Sequence, residues 1–138
     1  IELDVEDLLE EGQDNNWEGL PKKTVMGHIH LHVSELKDTE QFYTKGLGFE
    51  VVTRYGAQAL FISTERYHHH IGLNTWNGVG APAPEGNSVG LVWFSLVFSN
   101  EEKKQSAVDR LTSLGYKVDE EDGQYIAKDP SGNRIKLV

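Results

Sequence analysis

The chain has 138 residues, a formal net charge of −9 and no cysteine. That length suits one domain, or two small halves around a shared core. The missing thiols exclude a disulfide scaffold, a cysteine-ligated zinc site and a thiol nucleophile, and they suit a cytoplasmic protein. The negative charge argues against nucleic acid as the main partner. The longest apolar run, Val89–Phe98, falls well short of the roughly 20 residues that a membrane span needs.

The charge is uneven. Residues 1–21 hold eight acids and no Lys or Arg, leaving 13 bases and 14 acids in the rest. Residues 1–24 therefore read as an acidic linker or arm. Leu3, Val5, Leu8 and Leu9 predict one or two helical turns around Val5–Glu11, ended by Gly12, Asn15, Asn16 and the Gly19-Leu20-Pro21 stretch. An initiator methionine is not normally trimmed before a residue as large as isoleucine, so Ile1 is expected to follow a missing N-terminal portion.

Residues 25–138 read as a repeated unit. Val25–Val33 has strand character, and Asp38 starts a helix to Lys45 closed by Gly46. Strands follow at Phe49–Arg54, Ala59–Ser63 and His68–Trp76. A loop rich in Gly, Pro and Ala spans 77–88. The order then recurs: a strand at Val89–Phe98, a helix to Leu114 opened by a Ser99/Glu102 capping box and closed by Gly115, and strands at Tyr116–Asp119, Gln124–Lys128 and Arg134–Val138. Leu47-Gly48-Phe49 and Leu114-Gly115-Tyr116 mark matching joints 67 residues apart. The expected fold is α+β: two βαβββ modules, 25–76 and 89–138, forming a curved mixed-sheet open barrel around a cleft.

All six histidines fall in two of these strands. Side chains alternate between the faces of a strand. His28, His30 and His32 thus share one face, while Ile29, Leu31 and Val33 share the other and pack on the helices. In His68-His69-His70, either His69 alone or His68 and His70 face the cleft. Imidazole is the commonest side-chain ligand for transition metals. Two or three imidazoles from separate strands with a carboxylate make a facial site with open positions. Trp76 and Trp93 are candidates for an aromatic pocket wall. Asp129-Pro130-Ser131-Gly132-Asn133 reads as a tight turn before the last strand.

Gly27-His28-Ile29-His30-Leu31-His32-Val33, Phe42-Tyr43, Leu47-Gly48-Phe49 and Asp129-Pro130-Ser131-Gly132-Asn133-Arg134-Ile135 together resemble the vicinal oxygen chelate superfamily. That group contains glyoxalase I, the bleomycin- and fosfomycin-resistance proteins and the extradiol dioxygenases. Tyr67-His68-His69-His70-Ile71-Gly72-Leu73-Asn74-Thr75-Trp76 with Gly78-Val79-Gly80-Ala81-Pro82 more narrowly resembles the C-terminal half of bacterial catechol-2,3-dioxygenase-like proteins. Leu3-Asp4-Val5-Glu6-Asp7-Leu8-Leu9 and Trp17-Glu18-Gly19-Leu20-Pro21 resemble their connector.

The resemblance implies a divalent metal, Fe(II) or Mn(II), held by two His and one Glu. It implies a catechol-like substrate and O₂ as partners, and an N-terminal half that shares the cleft. The opening-strand ligand falls on His28. His69 takes the place of an acid–base group or auxiliary ligand, with His70 its close competitor. His30, Trp76 and Trp93 are expected at the substrate pocket.

The chain also departs from the family pattern. The ligand places of the second module fall on Leu91 and Lys136, and a frequent tyrosine is Ile126. That module therefore supplies no ligand. The alternatives are a metal-free drug-binding module of the bleomycin-resistance type and a glyoxalase-type lyase, and exposed module edges leave a homodimer open.

Overall fold

The structure, a computed structural model, describes residues 3–12, 16 and 18–138. Ile1, Asn15 and Trp17, used above in reading the arm, lie outside the described residues. Val5–Gly12 forms helix α1, every residue of which is exposed. The Asp4 carboxylate accepts the Asp7 N–H at 3.1 Å, within the first turn of that helix.

Two four-stranded mixed sheets with the same strand order make up the α+β fold. Strands β1 (Ile29–His32), β2 (Glu50–Tyr55), β3 (Ala59–Ser63) and β4 (Ile71–Asn74) assemble in the order β1-β4-β3-β2. Strands β5 (Phe94–Leu96), β6 (Val118–Glu121), β7 (Gln124–Lys128) and β8 (Arg134–Leu137) assemble as β5-β8-β7-β6. In each sheet the outer first strand runs parallel to the last, and the other pairs are antiparallel. A parallel pair needs a crossover connection, and the helices supply it. Neither sheet closes into a barrel.

The first crossover is α2 (Leu36–Gln41), which widens into a π-helical turn over Phe42–Gly46. Glu35 caps it: its carboxylate accepts the Lys37 and Asp38 N–H groups at 2.7 and 2.6 Å. The helix thus begins two residues before the expected Asp38, because a carboxylate can cap as well as Asp38 could. The second crossover is α3 (Glu101–Ser113). Its cap is Asn100, whose side chain accepts the Lys103 N–H at 2.9 Å. This corrects the Ser99/Glu102 capping box: with Asn100 at the cap, the third helical residue is Lys103, which cannot return the hydrogen bond that a Glu makes.

Three strands are shorter than expected by five residues or more. β5 covers only Phe94–Leu96, since its one partner, β8, has four residues and enters from a tight turn. Val89, Leu91 and Val92 before it are exposed. β1 and β4 likewise start at Ile29 and Ile71, so His28 and His68–His70 precede their strands rather than open them.

One apolar core spans both modules. From the first come Leu31, Val33, Leu60, Ile62, Ile71 and Leu73, and from the second Leu111, Ala127, Ile135 and Leu137. Each fully buried Leu or Ile contributes about 1.5–3 kcal/mol of transfer free energy. The π-helical turn brings Gly46 against α3, where a Cβ would run into Leu111. Its carbonyl accepts the Arg110 Nε–H at 3.0 Å. Ser34 N–H donates to Ser131 Oγ at 2.8 Å, a second tie between the modules.

The register also sets which positions correspond. Glu35 and Asn100 are equivalent caps, and Leu31 faces Leu73 as Leu96 faces Leu137. By that register the counterpart of His28 is Trp93, rather than the expected Leu91. Lys136 opposes Ser95 as Gly72 opposes His30. The joints lie 67 residues apart but the caps only 65, because the second crossover helix is longer.

Candidate metal centre

β1 and β4 lie side by side, with Ile29 opposite Ile71 and the Ile29 N–H donating to the His70 carbonyl at 3.0 Å. The residues just before each strand are therefore neighbours. Alternation turns Leu31 and Val33 into the core and leaves His28, His30 and His32 exposed. His28, His30 and His69 converge: each offers a ring nitrogen, and these atoms all lie within 4.8 Å of one another. The ring centroids of His28 and His69 are 4.3 Å apart, those of His28 and His30 5.3 Å, and those of His30 and His69 5.6 Å.

Nε2 of His69 is shut off from water and has no hydrogen-bond partner. A buried polar atom without a partner is uncommon and needs a reason. Loss of hydration, and then the neighbouring imidazoles of His28, His68, His30 and His70, lower the His69 pKa from its ordinary value. Lowering favours the neutral ring, which is the form that ligates. Three converging imidazoles, one of them with an orphaned nitrogen, fit a divalent transition ion. Among the described residues no Asp or Glu joins the group.

The other candidate residues are not among these three. His70 turns away: its Nδ1 accepts the Thr64 N–H at 3.2 Å, and its ring packs on Tyr67 and Phe49. His68 is exposed, with its ring edge-on to His69 at 4.7 Å and over Tyr67 at 4.1 Å. His32 lines a separate cavity of about 80 Å³ with Ser131 and Asn133. Trp76 lies beyond the end of β4, exposed, its backbone N–H donating to the Asn74 side chain at 3.2 Å. Trp93 lies under the Lys136 ammonium, 4.1 Å from its ring centroid.

Phe61 and Gly72 belong to the site and were missed. Phe61 packs against His69 at 5.1 Å and His30 at 6.0 Å. Its signal was the alternation of β3: Leu60 and Ile62 are fully buried, so Phe61 faces the histidine side. Gly72 carried the same signal in β4, between buried Ile71 and Leu73.

Residues 25–137 match the model of the glyoxalase/bleomycin resistance protein/dioxygenase superfamily. A protein of Bacillus subtilis (strain 168) named catechol-2,3-dioxygenase is 44% identical over 138 residues, which span 99% of this chain and 48% of that protein. The chain thus spans about half the length of that relative. A lactoylglutathione lyase from Agrobacterium tumefaciens superposes with a TM-score of 0.60 at 19% identity, over 86% of this chain and 94% of that one. A genomically encoded fosfomycin resistance protein from Listeria monocytogenes gives 0.62 at 15% identity, over 83% and 89%. These two share the fold. With the family match over most of its length, the chain belongs to the glyoxalase/bleomycin resistance protein/dioxygenase superfamily.

Proposed function

We propose that this chain is the metal-bearing part of an extradiol-type dioxygenase that opens catechol-like rings with O₂, and that His28, His30 and His69 hold the metal. The observation that carries this reading is the orphaned, water-free Nε2 of His69 beside two further imidazoles. The 44% identity to a protein named catechol-2,3-dioxygenase supports the reaction class. Imidazole suits Fe(II), whereas Mn(II) prefers carboxylates and carbonyls, so the donor set favours Fe(II). A metal-free drug-binding module would leave the His69 nitrogen with no partner, which disfavours it.

When bound, a divalent ion supplies Lewis acidity toward a vicinal diol and open positions beside it. The chain's own residues do the rest. His28, His30 and His69 would hold the ion. Phe61 gives an apolar wall on which an aromatic ring stacks. His68 stands exposed beside His69 at the rim. The remainder of a protein as long as the relative is the partner that closes the site, and the absence of cysteine favours a reducing compartment.

The test uses the full-length protein containing this chain, reconstituted anaerobically with Fe(II). Oxygen uptake with catechol and a yellow ring-opened product are expected, both lost in His28→Ala. Metal binding without oxygen uptake would refute the reaction. Failure to bind metal would refute the centre.

A further inference from the structure

We propose that Gly72 is the positioning residue of this centre: the missing side chain at 72 admits the His30 imidazole beside His28 and His69. The inference rests on the reading of those three residues as metal ligands. It deepens that reading by naming what decides the donor count.

Gly72 lies in the middle of β4, directly opposite His30 in β1. A Cβ at position 72 would stand 2.9 Å from both Cε1 and Nδ1 of His30 and 3.2 Å from its Cγ. Carbon atoms do not approach that closely without something moving. Gly72 is not among the residues with positive φ, so the backbone makes no demand for glycine. A glycine inside a strand weakens it and often marks a close approach by another group. The approaching group here is the imidazole of His30.

The second module shows what happens when the position is filled. Lys136 stands there in register, opposite Ser95, and its ammonium lies on Trp93, the counterpart of His28. The space that holds imidazoles in the first module holds a lysine in the second.

If a methyl group is added at 72, the exposed His30 ring gives way rather than the buried sheet. Gly72→Ala is therefore expected to melt no lower than the parent, because alanine is the better strand residue. Its affinity for Co(II), the probe ion, is expected to fall roughly 10–100-fold, the range seen when a supporting residue of a metal site is lost. His30→Ala should show a similar loss. The double variant Gly72→Ala/His30→Ala should be no weaker than His30→Ala alone, since the two act through one ring.

The experiment is Co(II) titration of the full-length parent and the three variants, followed by calorimetry and visible absorption. It is paired with imidazole NMR of the metal-free proteins. Unchanged Co(II) affinity in Gly72→Ala overturns the inference, as does full additivity in the double variant or loss of the metal-free fold. A parent that binds no Co(II) overturns the metal centre instead. The NMR arm separates the two failures: without metal, the His30 ring resonances must shift in Gly72→Ala, and unshifted resonances overturn the positioning role.

Discussion

The Tyr43 hydroxyl donates to the Asp129 carboxylate at 3.1 Å, joining the π-helical turn of the first module to the turn before β8 in the second. Asp129 is buried and also accepts the Ser131 N–H, the Asn133 N–H and the Asn133 side-chain amide at 2.8–2.9 Å. One carboxylate therefore organises the turn and holds the modules together.

Tyr43→Phe is expected to destabilise the protein by about 1.5–3 kcal/mol, as for a hydrogen bond to a charged group, measured by urea unfolding near neutral pH. Burial, and then the Asp129 charge and hydrogen bond, raise the Tyr43 pKa well above its ordinary value of 10.0. A raised folded pKa gives stability that is complete below the unfolded value and lost as pH rises through the folded one. The parent should weaken above about pH 10, and Tyr43→Phe should lack that component. Parallel alkaline profiles for the two proteins would refute it.

Asp129 is raised above its ordinary 3.8, chiefly by burial, with the bonds from Asn133, Tyr43 and Ser131 opposing. By the same sign, its contribution is complete below pH 3.8 and declines as pH rises through the folded value. Carbon-detected NMR titration of the Asp129 carboxyl should find it protonating at a higher pH than in the urea-unfolded chain. An equal or lower midpoint in the folded protein contradicts this.

Gly46→Ala is expected to destabilise by about 1–3 kcal/mol through overpacking, because its Cβ would meet Leu111 on α3. Chemical denaturation measures it. The contrast with Gly72→Ala is informative: at 46 the neighbour is a fully buried side chain, at 72 an exposed ring. Equal stability for Gly46→Ala and the parent would show that α3 can move aside.

Phe61→Leu keeps the site apolar but removes the ring beside His69 and His30. An aromatic pair contributes about 0.5–1.5 kcal/mol beyond area burial, so the KM for catechol should rise roughly 2–10-fold. Steady-state oxygen uptake by the full-length protein measures it, and an unchanged KM would remove Phe61 from the substrate wall.

His70→Ala should keep its metal, because its Nδ1 serves the Thr64 N–H and its ring faces Tyr67 and Phe49. The loss should be in stability, about 0.5–1.5 kcal/mol for the hydrogen bond. Metal content by elemental analysis, with thermal melting of the same sample, separates the two effects. Loss of metal in His70→Ala would return it to the site.

Much of this was legible in the sequence because strands alternate. Leu31 and Val33 had to be core, so His28, His30 and His32 had to share the outer face. Alternation could not choose among His68, His69 and His70, since those residues precede β4 and do not obey its period. The β1–β4 register makes that choice, and it is a pairing between segments some 40 residues apart. The same register makes Trp93, not Leu91, the counterpart of His28, because Leu31 and Leu96 hold equivalent places opposite Leu73 and Leu137. Both Ser99 and Asn100 can cap, so the sequence left the choice open; in the structure Asn100 is extended and its side chain takes the Lys103 N–H.

The central claim is that three imidazoles of one module hold the metal. X-ray absorption of the full-length protein loaded with one equivalent of Zn(II) tests it most directly. The account predicts the multiple-scattering signature of three imidazole rings, falling to two in His30→Ala. A parent spectrum with at most one imidazole, or one that His30→Ala leaves unchanged, would contradict it.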